Sequence, residues 1–375
     1  METELLKNRA WIEVNLHNLE HNINEIKKII PSKTEIMAVV KANAYGHGII
    51  EISKKLESIG ITDFAVATLE EALLLRENKI TGNILILGFT GFCNLHYVVD
   101  NDLIQTVVDE NYALKLLELK FKKKIKVHIK INTGMNRIGI NYQNIDIIKK
   151  LYFSKNIDVL GAFSHLCVSE SNNKEDILFT ENQIFKFKSL IESLKSAGIN
   201  NLKYHLQSSY GIINYNELEF DYVRPGIIMY GVDSSEEAYS KIKLDLKPVL
   251  SIKARITSVK EIDKNDSVSY GRTYISSKKE KIATVSIGYA DGYPRNLSNC
   301  GVRVLVNGMY HEIIGRICMD QLIIKVNNDS VKIGDIVTLI GKEQEISCVR
   351  ISKCSNTISN ELLSRLGTRL NRVIV

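Results

Sequence analysis

Proline is scarce in this chain, with four in 375 residues, and tryptophan occurs once. So little proline excludes a collagen-like or proline-rich linker protein. Cysteine is sparse too. The six (Cys93, Cys167, Cys300, Cys318, Cys348, Cys354) are scattered, with neither metal-ligand spacing nor the density of a disulfide scaffold. No metal is therefore expected. No apolar run approaches the roughly 18 residues that span a bilayer. Neither sign of charge dominates: 49 Lys and Arg against 43 Asp and Glu leave +6. That excess is mild for a nucleic-acid binder, which clusters basic residues on one face, and it suits anionic small molecules equally well. Met1 to Leu16 is interrupted by Glu, Lys, Asn and Arg and lacks the apolar core of a signal peptide. The expectation is a cytoplasmic protein with reduced thiols and no nucleic-acid or membrane partner.

What remains is ordinary folding material, 45% hydrophobic and 25% charged, in a length suited to two or three domains. Up to about Tyr230, short β-rich runs alternate with amphipathic helical stretches. The strand candidates are Ile36–Lys41, Phe64–Thr68, Ile84–Phe89, Ile104–Val108, Val127–Asn132, Val159–Ser164, Tyr204–Gln207 and Tyr222–Arg224. Between them, Leu16, Leu19, Ile23, Ile26 and Ile30 recur at helical spacing, as do Ile184, Phe187, Leu190, Ile191 and Leu194 ahead of Gly198. Eight such repeats match a (β/α)8 barrel, with a doubly wound sheet as the alternative. After about Val232 the pattern turns to strands: Leu250–Ile262, Ser267–Ile275, Ile282–Ile287, Val302–Val306, Glu312–Ile317, Leu322–Val326 and Ile336–Leu339. Asn307-Gly308 joins two of them as a two-residue hairpin. The fold class expected is α/β: an N-terminal TIM barrel over residues 1–235, then a mostly antiparallel β domain over 236–375.

Barrel enzymes carry their chemistry at the C-terminal ends of the strands. Lys41 stands at the end of the first, followed by Ala42-Asn43-Ala44-Tyr45-Gly46-His47-Gly48, a tyrosine among glycines that admit close backbone approach. A lone lysine after a strand is usually a solvated side chain. One desolvated in such a pocket can form a Schiff base with an aldehyde, including that of pyridoxal phosphate (PLP). On the fifth strand Lys126, His128, Lys130 and Asn132 share one face, and Val127, Ile129 and Ile131 the other. If the apolar set packs on helices, the polar set points into the barrel, where unpaired charge is costly. A solvated edge strand would carry the same pattern. Arg137 follows over the same mouth and suits a carboxylate. His165 ends the sixth strand, where it is either a ring-stacking group or a core histidine. Ser208-Ser209-Tyr210-Gly211 and Arg224-Pro225-Gly226-Ile227 end the seventh and eighth, where barrels commonly bind phosphate.

Val40-Lys41-Ala42-Asn43-Ala44-Tyr45-Gly46-His47-Gly48 resembles the PLP-lysine signature of alanine racemases. The resemblance continues, in the family's order, through Lys130 to Arg137, Arg224-Pro225-Gly226, Val268-Ser269-Tyr270-Gly271, Ile287 to Tyr293 and Gly315 to Asp320. It implies that Lys41 carries PLP, that Tyr45, Ser209, Gly226 and Ile227 hold its phosphate, that His165 stacks near the ring, and that Arg224 donates to the pyridine nitrogen. It further implies a carbamylated Lys130 orienting Arg137, Lys41 and Tyr270 as the two catalytic acid/base groups, and a homodimer with shared active sites. In that dimer Tyr270, Tyr289 and Met319 would enter the other subunit's barrel mouth.

Two positions depart from the family. Ser208 stands where Asn usually precedes the phosphate-binding serine, and Asn360 stands where Tyr is usual. The serine racemases of the vancomycin-resistance type resemble this chain in their cytosolic domain, and they carry Asn there. The activity implied is interconversion of L- and D-alanine, with serine accepted beside it through Asn360, supplying D-amino acid for peptidoglycan. A predominantly serine racemase, a barrel-type PLP decarboxylase, a non-catalytic single-barrel PLP carrier and a cofactor-free Schiff-base aldolase are the competing readings.

Overall fold

The computed structural model describes residues 8–326 and 330–375. Seven residues of the amino-terminal stretch read above for a leader therefore lie outside the described residues. The first strand, β1 (Ala10–Val14), leads into a helix at Leu16–Ile29, where the Asn15 side chain accepts from the Asn18 N–H and caps the first turn.

The barrel strands follow as β2 (Glu35–Val39), β3 (Asp63–Val66), β4 (Asn83–Ile86), β5 (Ile104–Val107) and β6 (Ile125–Asn132). The two-residue β7 (Ile140–Asn141) only extends β6; then come β8 (Ile157–Phe163), β9 (Lys203–Ser208) and β10 (Tyr222–Arg224). Neighbours pair in parallel, β10 returns beside β2, and β5 pairs with β6, so eight strands close on themselves. Closure decides between the barrel and the doubly wound sheet in favour of the barrel. Side chains alternate as the period of two requires: Met37, Val39, Ala65, Leu85, Ile104, Phe163 and Tyr222 fill the interior. Ile36, Ala38, Phe64, Val66, Ile84 and Ile86 join the core packed by the helices.

The second unit contains β11 (Leu250–Ile262), β12 (Ser267–Val268), β13 (Tyr274–Ile275), β14 (Glu280–Val285), β15 (Arg303–Val306), β16 (Met309–Ile314), β17 (Leu322–Val326), β18 (Ile336–Ile340) and β19 (Asn371–Ile374). The long β11 pairs with β18 through its first half and β14 through its second, closing a six-stranded antiparallel barrel. Val306 faces Met309 across Asn307 and Gly308, both at positive φ, so the hairpin read from that dipeptide is present.

Three features depart from the sequence expectation. The strand expected over Ser267–Ile275 is broken, because Ser269, Gly271 and Arg272 adopt positive φ, which no strand can pass through. β1 is built into the second sheet, antiparallel to β11 and parallel to β19. Two short helices, Cys348–Cys354 and Ser359–Ser364, interrupt the strands of the carboxyl-terminal part. Among the described residues no helix is long and apolar enough to cross a membrane, and all six cysteines are unpaired.

Candidate active site

The barrel's C-terminal mouth opens on a cavity of 430 Å³. Lys41, Tyr45, Lys130, Arg137, His165, Ser208, Ser209, Arg224, Gly226, Ile227 and Asn360 all line it, so the strand ends read from sequence do converge. Four lining residues are cationic by type, and no aspartate or glutamate is among them. That arrangement is costly empty and suits a ligand bearing several negative charges.

Lys41 stands two residues past the end of β2 and opens an unusual turn. Ala42, Asn43, Ala44 and Tyr45 all have φ between 51 and 54°. Left-handed backbone costs L-residues about 1–2 kcal/mol each, and such strain persists where surrounding structure enforces it. The turn drives Tyr45 under the cavity, its hydroxyl beside Gly226, where an added Cβ would stand only 2.8 Å from it. The Gly226 N–H also donates to Ser209 Oγ at 3.1 Å. Burial pushes the Tyr45 phenol up to about 12, so it remains a hydrogen-bond donor at neutral pH. A hydroxyl pair, a backbone N–H and a glycine without room for a methyl group form a cradle fit for a phosphate.

Above that cradle, Lys41 is largely buried, and desolvation, then the Arg137 charge, lowers its pKa against the opposing effect of Glu71. Lys130 is more deeply enclosed, with its Nζ 5.0 Å from the centre of the Phe163 ring. Its pKa is lowered well below the usual lysine value by burial first, then by Arg224 and Arg137. The inward polar face of β6 is real for His128 and Lys130, both buried. Asn132 serves differently: its side-chain oxygen accepts the Gly134 and Asn136 N–H groups and shapes the turn leading to Arg137.

Arg224 crosses the barrel interior. It donates to the carbonyls of Ser164 (2.7 Å) and Leu206 (3.0 Å) and to Nδ1 of His205 (2.7 Å), with His165 Nδ1 at 3.5 Å. Burial brings its pKa down to about 9, which leaves it protonated at neutral pH. His165 is held neutral by burial and then by the Arg224 charge.

Asn360 is the second residue of the helix at Ser359–Ser364, and its Oδ1 accepts from Ser234 Oγ at 2.9 Å. Tyr270, Tyr289 and Met319 do not line the cavity of their own chain. They stand 70%, 40% and 52% exposed on loops that interlock: the Tyr289 N–H donates to the Cys318 carbonyl, and Ser269 Oγ to that of Arg316.

The family model for the N-terminal domain of alanine racemase matches residues 14–234, and that for the C-terminal domain matches residues 249–374. The chain belongs to the alanine racemase family. An amino-acid racemase of Enterococcus faecalis is 41% identical over 366 residues, 97% of this chain but 51% of its own length. This chain thus spans about half the length of the enterococcal relatives it matches. Alanine racemase 2 of Caldanaerobacter subterraneus subsp. tengcongensis is 39% identical, with 97% and 94% of the two chains covered. The crystal structure of alanine racemase from Bacillus anthracis with bound L-Ala-P superposes with a TM-score of 0.90 at 34% identity, covering 98% of this chain and 95% of that one. The family is PLP-dependent.

Sequence reasoning missed several residues of the site. Phe163 stacks on His205 with centroids 4.8 Å apart and rings 6° from parallel, and both Lys130 and Arg224 lie over it. Its inward direction follows from its place two residues after Gly161, whose missing side chain makes room for His128. Glu71 accepts the N–H groups of Ala42 and Ala67, and no local pattern announces that contact.

Proposed function

We propose that this protein is a PLP-dependent amino-acid racemase that interconverts L- and D-alanine and also accepts serine, supplying D-amino acid for peptidoglycan. The observation that carries the reading is Lys41: a desolvated amine over the Tyr45, Ser209 and Gly226 cradle, in a cavity lined by four basic side chains and by no acid. Bound there, PLP would supply an aldehyde for the amino group and a ring that draws electron density from the α-carbon.

The chain's own residues divide the work. Tyr45, Ser209 and the backbone at Gly226 and Ile227 hold the phosphate. Lys41, its pKa lowered by desolvation, gives up its proton more readily than a solvated lysine and can take or return a proton on one face. Tyr270 of a second copy serves the opposite face, consistent with its exposure on a loop outside its own cavity. Arg137 fixes the substrate carboxylate through paired hydrogen bonds. Burial lowers the Lys130 pKa well below the usual lysine value and so favours the free amine, whose nitrogen would attack the carbon of CO₂ and release a proton; Lys130 is therefore the carbamylation candidate, and the resulting anion would orient Arg137. Arg224 carries donors only; it can hold a ring nitrogen as acceptor and gives it no proton at neutral pH. His165 packs beside the ring, and Met319, Tyr289 and Asn360 bound the substrate side chain.

The test is an absorbance titration of the full chain and its Lys41→Ala variant with PLP, followed by borohydride treatment. The wild type should acquire a visible band that reduction removes, and the variant should not. A band in the variant would move the cofactor to another amine.

A further inference from the structure

None of the four left-handed residues Ala42 to Tyr45 is a glycine, so the turn is held by its surroundings and not by its own preferences. Its polar groups are met from several elements. The Ala42 N–H goes to Glu71, Asn43 Oδ1 accepts the Ile49 N–H, and Nδ1 of buried His47 lies 2.9 Å from the carbonyls of both Ala44 and Tyr45. The next carbonyl, that of Gly46, is reached from the far end of the chain: Arg372, on β19, donates to it through Nε at 3.0 Å. Gly46 is otherwise wedged against the Ser359–Ser364 helix, where a Cβ would stand 2.2 Å from the Leu363 carbonyl oxygen.

The same guanidinium reaches three more carbonyls. Nη1 donates to Gly367 (2.9 Å) and Leu370 (2.7 Å), and Nη2 to Leu366 (3.2 Å). Arg372 thus ties one carbonyl of the lysine-bearing loop to three of the segment 366–370. Only a planar fork of divergent donors can do this; an ammonium group would meet fewer of them.

We propose that Arg372 is a positioning residue: it clamps the left-handed turn to the carboxyl-terminal segment and so fixes where Lys41 and Tyr45 stand before a cofactor arrives. The proposal rests on the reading of those two residues as the cofactor's anchors. It predicts a specific coupling between a residue on the second domain's sheet and the phosphate cradle in the barrel mouth.

The experiment is hydrogen exchange on the full-length wild type, Arg372→Met and Arg372→Lys, paired with PLP titration by absorbance. The reporting amides are those of Ala44, Gly46, His47 and Gly48, each bonded within the turn or to Val40. In Arg372→Met they should exchange about tenfold faster or more while barrel amides keep their protection, and PLP affinity should fall by about fivefold or more. Arg372→Lys should fall between, and it decides the matter if the methionine variant does not fold. Unchanged protection in the turn would overturn the clamp. So would loosened exchange with unaltered PLP affinity, or a loss of protection spread evenly over the chain. Failure of the wild type to bind PLP would refute the cofactor reading instead, with the exchange data still deciding whether the clamp exists.

Discussion

Arg224 places a guanidinium nitrogen 2.7 Å from Nδ1 of His205. Arginine offers donors only, so Nδ1 must accept, and the His205 proton sits on Nε2. That nitrogen lies 2.8 Å from Nδ1 of His128, which must accept in turn. One permanent cation therefore fixes two imidazoles as neutral tautomers inside the barrel.

Those neutral histidines make stability depend on pH. His47 is held down to about 4 and His128 to about 3, both by burial first, and His165 and His205 are held well below 6.5. Between the lowered values and 6.5, only the unfolded chain takes up these protons, so stability rises with pH across that window. It is complete above about 6.5 and lost as pH falls toward 4, by up to about 1.4 kcal/mol per pH unit for each histidine. Urea unfolding of the full chain should show midpoints falling from pH 7 to pH 5. A flat midpoint over that range would show the imidazoles protonated in the native state.

Much of this was legible in the sequence, for identifiable reasons. Eight apolar runs with polar ends announce parallel βα units because period two is a local property, whereas the closure that makes them a barrel is a long-range pairing of β5 with β6 and of β10 with β2. Lys41, His165 and Arg224 are legible because each stands at or within two residues of its strand's end, and Arg137 because the short turn after Asn132 carries it over the same mouth. What was not legible depends on distant partners. β1 gives no sign that it pairs with β11 and β19, some 240 and 360 residues away. The Ser269–Arg272 kink is set by packing: a Cβ on Gly271 would stand 2.9 Å from the Arg316 guanidinium, and one on Gly315 2.8 Å from the Val268 carbonyl. The left-handed turn after Lys41 is held by Glu71, His47 and Arg372, of which only His47 is a neighbour in sequence.

Gly226→Ala should weaken PLP binding more than it weakens the fold. The new methyl group would meet Tyr45 Oη at 2.8 Å and Ser209 Oγ at 3.8 Å, within the cradle itself. Overpacking of this kind costs about 1–3 kcal/mol, so PLP affinity should fall roughly five- to 150-fold. Titration of the variant at wild-type affinity would remove Gly226 from the cradle.

Arg137→Ala should lower kcat/KM for alanine by roughly ten- to 150-fold, the equivalent of about 1.5–3 kcal/mol for a charged hydrogen bond. A loss below threefold would leave the substrate carboxylate to another group.

Asn360 is the specificity test. With its Oδ1 taken by Ser234, its amide N–H groups remain for the cavity, where a substrate hydroxyl can accept. Asn360→Tyr should lower the serine-to-alanine ratio of kcat/KM, because an unpaired hydroxyl costs about 1–3 kcal/mol. An unchanged ratio would make the residue neutral in substrate choice.

The account stands most directly on chiral chromatography of alanine incubated with the purified full chain and PLP, started separately from each enantiomer. Both reactions should converge on the same equal mixture, and neither should proceed with Lys41→Ala. Alanine that keeps its configuration from either side, or that disappears into a decarboxylated amine, would contradict the assignment.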